Sequence, residues 1–203
     1  MTFVFATVQY ESGDWDSAPL FAANVIDAVA RYTDLAVAPS GVTVSLSSRD
    51  LFRYPLIYLT GHLPVRFSAA ERENLAEYVS RSGLLFVDDH NHDVDGQFHK
   101  TATEEIARAC GGPLVDLPND HQLYKAFFDF PNGPPTTGHE LNGWGDNLVH
   151  KHLQAVIRRG RIAVLYSSKD YSSEWSFHPD NKRFLSVDNT RFAVNLVVYA
   201  LTR

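Results

Sequence analysis

Cysteine is nearly absent: the 203 residues contain one, Cys110. That excludes an intramolecular disulfide and a multi-cysteine zinc site. Positive charge is also scarce. Eighteen Lys and Arg stand against 24 Asp and Glu, a formal net charge of −6 with His neutral. A nucleic-acid footprint needs a concentrated basic face, so no such partner is expected. No apolar run approaches the roughly 18 residues of a membrane span. The opening Met1-Thr2-Phe3-Val4-Phe5-Ala6 lacks the basic segment and cleavage site of a signal peptide, so a cytoplasmic chain is expected. There is no Gly-x-Ser-x-Gly elbow, no Gly-rich loop ending in Lys-Ser or Lys-Thr, and no Gly-x-Gly-x-x-Gly. His139-Glu140-Leu141-Asn142-Gly143 begins like a zincin helix but lacks the second His. Internal repeats and low-complexity segments are absent as well.

What is present is enough apolar residue to bury a core, 44%, with 21% charged. The length fits a single domain over 1–203. Nine His is high, and acidic residues cluster with them: Asp88, Asp89, His90, His92, Asp93, Asp95 and His99. Aromatic residues reach 12%.

Phe3 to Gln9 reads as a first strand, and the apolar spacing Phe21, Val25, Val29 predicts a helix to Tyr32 after Pro19. Val42–Leu46 and Leu56–Thr60 are short strand signals. Ser68-Ala69-Ala70-Glu71 is a capping box, opening a helix that Gly83 should close in the C′ position. Leu84–Val87 then reads as a buried strand stopping at Asp88-Asp89. A helix over Lys100–Ala109 is closed by Gly111. Residues of about 118–147 are rich in Pro, Gly, Asn and aromatics, and are expected to form an ordered excursion over one end of the sheet. Leu153–Arg158 and Arg161–Tyr166 pattern as a hairpin about Arg159-Gly160; a helix over Leu148–Arg158 is the competing reading. Thr190–Leu201 closes the chain as a helix.

Strands alternating with helices predict an α/β fold, a mainly parallel sheet with helices on both faces. Right-handed crossovers then bring the C-terminal ends of the strands to one rim, where ligands of open α/β sheets bind. That rim should carry Tyr10, Asp14, Trp15 and Asp16 after the first strand, His62 after Leu56–Thr60, Asp88 and Asp89 after Leu84–Val87, and Asp170 with Trp175 after Arg161–Tyr166. Neighbouring strand residues point to opposite faces, so at most one of Asp88 and Asp89 should meet a ligand. His90-Asn91-His92 has short metal-like spacing, but two imidazoles alone do not make a site, and solvated loop histidines are the preferred reading. His150-Lys151-His152 reads as surface, and Gly13-Asp14-Trp15-Asp16 also suits a plain helix-capping turn. Cys110 falls at a helix C-terminus, where the dipole disfavours a thiolate, so it should be inert.

Several strings resemble a bacterial family catalogued as domain of unknown function 4159. They are Val8-Gln9-Tyr10 with Ser12–Asp16, Leu51–Pro55, Tyr58–His62, Gly83–Asp89, Leu117-Pro118 with Asp120-His121, Tyr124 with Phe127–Pro131, His139-Glu140-Leu141, Gly143-Trp144-Gly145 and Tyr166-Ser167 with Asp170-Tyr171. That family is itself similar to the ThuA-like branch of the class I glutamine amidotransferase-like fold, a flavodoxin-like three-layer architecture. In those amidotransferases the elbow after the Gly-Gly-Leu-like strand carries a Cys nucleophile. Asp88-Asp89-His90 stands there in this sequence, so Cys-dependent glutamine hydrolysis is not expected.

Two functions follow as expectations. The first is a rim pocket that binds or transforms a small polar ligand, carbohydrate being one class. Asp88, Asp89 and Asp170 would be its catalytic carboxylates. Tyr10, Asp14, Trp15, Asp16, Trp144 and Trp175 would contact the ligand, and His62, Asp89 and His121 would hold a divalent metal such as zinc or manganese. The second is a non-catalytic interaction module with a protein partner. The resemblance implies an assembly with MoxR-type ATPases and von Willebrand A domains, with the aromatic excursion as the partner surface.

Overall fold

A computed structural model describes residues 2–176 and 186–203. In chain order the elements are β1 (Ala6–Gln9), α1 (Phe21–Tyr32), β2 (Val42–Ser45), β3 (Leu56–Gly61), α2 (Ala69–Ser80), β4 (Leu84–Asp89), α3 (Gln97–Cys110), β5 (Val115–Asp116), α4 (Gly138–Asn142), β6 (Gln154–Arg158), β7 (Arg161–Ser167), α5 (Tyr171–Ser176) and α6 (Ser186–Thr202). They form one seven-stranded sheet in the order β2-β1-β3-β4-β7-β6-β5. The five strands β2, β1, β3, β4 and β7 are parallel, whereas β6 runs antiparallel to both its neighbours. The α/β reading with a mainly parallel sheet therefore holds, and 154–167 is a hairpin rather than part of a helix.

The central strands are buried along their whole length, as strands covered on both faces must be. Their side chains alternate between two apolar layers. Leu56, Tyr58, Leu84 and Phe86 join α1, α5 and α6 on one face, while Ile57, Leu59, Leu85 and Val87 join α2 and α3 on the other. Phe86 is wholly buried, and truncating it to Ala would cost about 3–5 kcal/mol through lost burial and the cavity left behind.

The Ser68/Glu71 capping box forms in full at the start of α2. The end of α2 differs from expectation. Ser82, not Gly83, takes the left-handed conformation, φ +71°. Its N–H donates to Val79 O and that of Gly83 to Tyr78 O, the paired bonds of a Schellman ending. Gly83 is required for closeness instead: a Cβ there would lie 2.3 Å from the Tyr78 ring.

The excursion also departs from expectation. Its first half does not cover an end of the sheet but rides on the helices of one face. Tyr124 stacks on Phe192 at 6.1 Å, Phe128 meets Tyr32 at 5.2 Å, and buried Asn195 of α6 donates to the carbonyls of Leu123 and Phe128. Only the second half, from α4 onward, reaches the rim. Among the described residues no helix is long and apolar enough to cross a membrane.

Candidate functional site

The rim above the C-terminal ends of β1, β3, β4 and β7 is tied together by a chain of contacts between carboxylates and imidazoles. Asp14, in the loop after β1, accepts the N–H groups of His62 and Leu63 on Oδ1, at 2.8 and 3.1 Å, and faces His62 Nδ1 with Oδ2 at 2.7 Å. Partial burial works against its charge, but the bonds from Leu63 and His62 outweigh that and hold the carboxyl below its ordinary range. The His62 ring stacks on His90, centroids 4.2 Å apart. His90 Nδ1 lies 3.1 Å from Ser17 Oγ, and Nε2 lies 3.8 Å from Asp170 Oδ1.

Asp170 is the centre of the arrangement. It is wholly buried and left-handed, φ +57°, a conformation that Asp tolerates better than most residues. Its Oδ1 accepts the N–H of Ser173, capping the short α5, and its Oδ2 pairs with His139 Nδ1 from α4. His139 lies flat against Trp144, rings 5.3 Å apart and 4° from parallel. Trp144 is 63% exposed. A capping box, Thr137 with Glu140, fixes α4 and hence the His139 ring, and the Thr137 hydroxyl donates to Lys169 O beside Asp170.

The two imidazoles on Asp170 are pushed in opposite directions. The hydrogen bond to Asp170 raises the pKa of His139 despite its burial. Burial lowers that of His90, and the nearby His62 and His139 add to the lowering against the attraction of Asp170. Beneath them lie the two strand carboxylates, on opposite faces as the strand period requires. Asp88 Oδ2 accepts both the N–H and the hydroxyl of Ser172 at 2.7 Å, and burial, followed by the charge of Asp170, raises its pKa. Asp89 Oδ1 accepts the Asn91 N–H at 3.0 Å, and burial pushes its carboxyl up to about 7. Asp88 Oδ1 and Asp89 Oδ2 are buried without a hydrogen-bond partner. A carboxyl that keeps its proton loses less by such burial than a carboxylate.

The structure thus brings Asp14, His62, Asp88, Asp89, Asp170 and Trp144 to one rim. Four expected members do not present themselves there. Tyr10 is 1% exposed, its hydroxyl donates to Thr60 O at 3.0 Å, and its ring packs on Phe67. Trp175 is buried in the core with its indole N–H donating to Asn189 O. Trp15 packs partly buried against the α2/α3 layer. His121 lies at the other end of the strands, its ring against Tyr199 near the end of α6, and with Arg161, the first residue of β7, it lines a cavity of about 590 Å³. A metal set of His62, Asp89 and His121 therefore does not assemble, because β7 separates its members. Asp16 is exposed beside the rim.

Sequence reasoning missed His139 and His90 as site residues. The Thr137/Glu140 capping box was the available signal for the first, since it places a helix under His139. His92, read as one of two solvated loop histidines, is wholly buried, its ring between Ser168 O after β7 and the side chains of Asp146 and His150. Cys110 is buried, and burial raises its thiol pKa to about 12, as an inert residue requires.

The chain matches the family model described as domain of unknown function (DUF4159) over residues 4–201 and belongs to that family. No curated protein matches it.

Proposed function

We propose that the rim is an acid–base site for a small polar ligand, with carbohydrate as its substrate class. One observation carries this reading: a single buried carboxylate, Asp170, contacts two imidazoles whose proton affinities are displaced in opposite senses. Groups tuned apart in this way suit a general acid and a general base. His139 holds its proton and donates it to a leaving or carbonyl oxygen. His90 stays neutral and accepts a proton from a hydroxyl or water. Asp170 positions both, and exposed Trp144 offers a flat apolar face of the kind on which sugar rings lie.

The five parallel strands, in the order β2-β1-β3-β4-β7, match the flavodoxin-like order 2-1-3-4-5 when counted among themselves. That order supports a class I glutamine amidotransferase-like fold of the ThuA-like kind, with Asp88-Asp89-His90 at the place of the nucleophile and therefore no Cys-dependent amidotransferase activity. A second reading, a docking surface for a protein partner, is favoured by the exposure of Leu141, Trp144, Leu148 and Val149 within one short stretch of the excursion.

A panel of mono- and disaccharides, followed by chemical shifts of the Trp144 indole and the histidine rings, separates the two. The site reading expects saturable shifts at Trp144, His139 and His90, weakened at least about tenfold by Trp144→Ala, the loss of one stacked aromatic contact. A panel that moves none of these resonances overturns it and leaves the docking surface.

A further inference from the structure

The described residues hold a second cluster of titratable groups outside the acid–base rim. His92, Asp146 and His150 each offer one donor atom, and these atoms lie within 4.8 Å of one another. His92 Nε2 is 3.6 Å from Asp146 Oδ1, and His150 Nε2 is 2.9 Å from Asp146 Oδ2. The two rings meet edge to face, centroids 5.1 Å apart. For bonds of about 2.0–2.1 Å, two ligands of a tetrahedral ion stand roughly 3.3–3.5 Å apart; the two observed separations, each to a different Asp146 oxygen, are close enough that small side-chain rotations would reach it.

Both ring nitrogens of His92 face oxygen. Nδ1 pairs with Ser168 O, while Nε2 faces Leu148 O at 3.1 Å as well as Asp146. A nitrogen that meets a carbonyl can only donate to it, and a neutral imidazole has one proton to donate. With a proton on Nδ1, Nε2 faces Leu148 O and Asp146 Oδ1 as a donor atom, the orientation that metal ligation needs. The bond from Nδ1–H to a backbone carbonyl is also the usual outer contact of a metal-bound histidine.

The surroundings fix all three residues. Left-handed Gly145, φ +63°, lets the chain close over His92, where a Cβ would stand 1.9 Å from His92 O. The Asp146 N–H then donates to that same carbonyl at 2.8 Å. His150 is held by its backbone: its N–H donates to Glu140 Oε1 at 2.8 Å, and its carbonyl accepts from Lys169 Nζ at 2.7 Å. Glu140 and Lys169 are themselves a buried ion pair, 2.6 Å apart. His150 and Leu148 also line a cavity of about 430 Å³, through which an ion and a water can enter.

We propose that His92, Asp146 and His150 bind a divalent transition-metal ion, with zinc the ion best matched to two imidazoles and one carboxylate, and a water from the adjacent cavity completing the coordination. None of these residues belongs to the acid–base pair, so the two readings stand or fall separately.

The test is calorimetric titration of the full chain with Zn²⁺ after chelator treatment, together with Co²⁺ absorption spectra. One zinc per chain is expected, with a raised melting temperature and tetrahedral cobalt bands. His150→Ala and Asp146→Asn should each weaken binding at least about tenfold. His152→Ala, which removes an exposed histidine from the same cavity, and His139→Ala, at the rim, should each leave it unchanged within about twofold. Absence of zinc binding by the folded wild type overturns the proposal, as does binding that survives both triad variants or that falls equally in His152→Ala. Should the triad variants fail to fold, wild-type ring resonances decide: His92 and His150 must shift on adding zinc, and unmoved rings overturn the proposal.

Discussion

Both ends of the parallel strands are polar, yet they differ in what their polar groups face. At the N-terminal end of β7, side-chain donors are consumed by backbone carbonyls. Arg203 donates to Ile162 O and Ser82 O, and Arg158 donates to Cys110 O. His121 accepts the N–H of Leu123 at 3.1 Å. These bonds finish helix and strand termini, which otherwise leave carbonyls without partners. At the C-terminal end the polar side chains face one another instead: Asp14 with His62, His90 and His139 with Asp170, Glu140 with Lys169. The N-terminal end has the roomier cavity, about 590 Å³ beside His121. Volume therefore does not separate a site from a seam here. Mutual contact of ionisable groups in a dry setting does, because charges there stay strongly coupled and their proton affinities move.

The sharpest way to break that contrast is to unpair a charge beneath the rim. Glu140→Ala strands the Lys169 ammonium, 1% exposed, with His150 O the one remaining acceptor among the described residues. It also removes the carboxylate from the Thr137 capping box. A loss of about 3–5 kcal/mol in denaturant unfolding is expected, the usual effect of leaving one partner of a buried pair alone. A loss below about 1 kcal/mol would mean that the rim is as well solvated as the surface, and the contrast would fail.

A slightly smaller effect should appear in pH dependence. The Asp89 carboxyl is raised from an ordinary value near 4 to about 7 in the folded protein. Between those values the folded state binds more protons than the unfolded one, so stability is full below pH 4 and falls as pH rises toward 7. Asp89→Asn removes this dependence. Relative to wild type, its unfolding free energy should increase by up to about 4 kcal/mol from pH 4 to pH 8, three pKa units at 1.36 kcal/mol each. Parallel pH profiles for the two proteins would show that Asp89 ionises freely and that the rim does not tune it.

The sequence made the frame of this rim legible because its determinants are local. Leu84–Asp89 is an apolar run long enough for a buried strand and ends on two carboxylates, and Ser68 with Glu71 writes a helix start directly. The handedness of crossovers then sufficed to place Asp14, His62, Asp89 and Asp170 at one edge. What was not legible depends on the excursion, whose path no periodicity encodes. His139 reaches Asp170 across 31 positions, and Asp146 and His150 reach His92 across more than 50, through turns set by Gly143, Gly145 and Asn147 in left-handed conformations. Trp175 and Tyr10 failed for a different reason. Aromatic residues beside strand ends serve a core as readily as a ligand, and only burial distinguishes the two uses.

The smallest expected effect comes from His121, and it tests the contrast from the opposite side. Its sequence neighbourhood, Asp120-His121, is as polar as the rim strings, and its ring would suit a metal or a proton relay equally well. In the fold it does two local things. Its Nδ1 caps the short 3-10 turn Gln122–Lys125, and its ring rests edge-on against Tyr199 at 5.6 Å. Loss of a cap at a half-buried position costs on the order of 1 kcal/mol, and the ring contact adds a similar or smaller amount. His121→Ala should therefore lower unfolding free energy by about 1 kcal/mol and leave the ring titrations of His90 and His139 where they are in the wild type. Those titrations report on Asp170 through direct contact, while His121 is separated from them by the length of β7. If the alanine variant displaces either titration, the two ends of the sheet are energetically coupled, and the seam at the N-terminal end must be counted as part of the site.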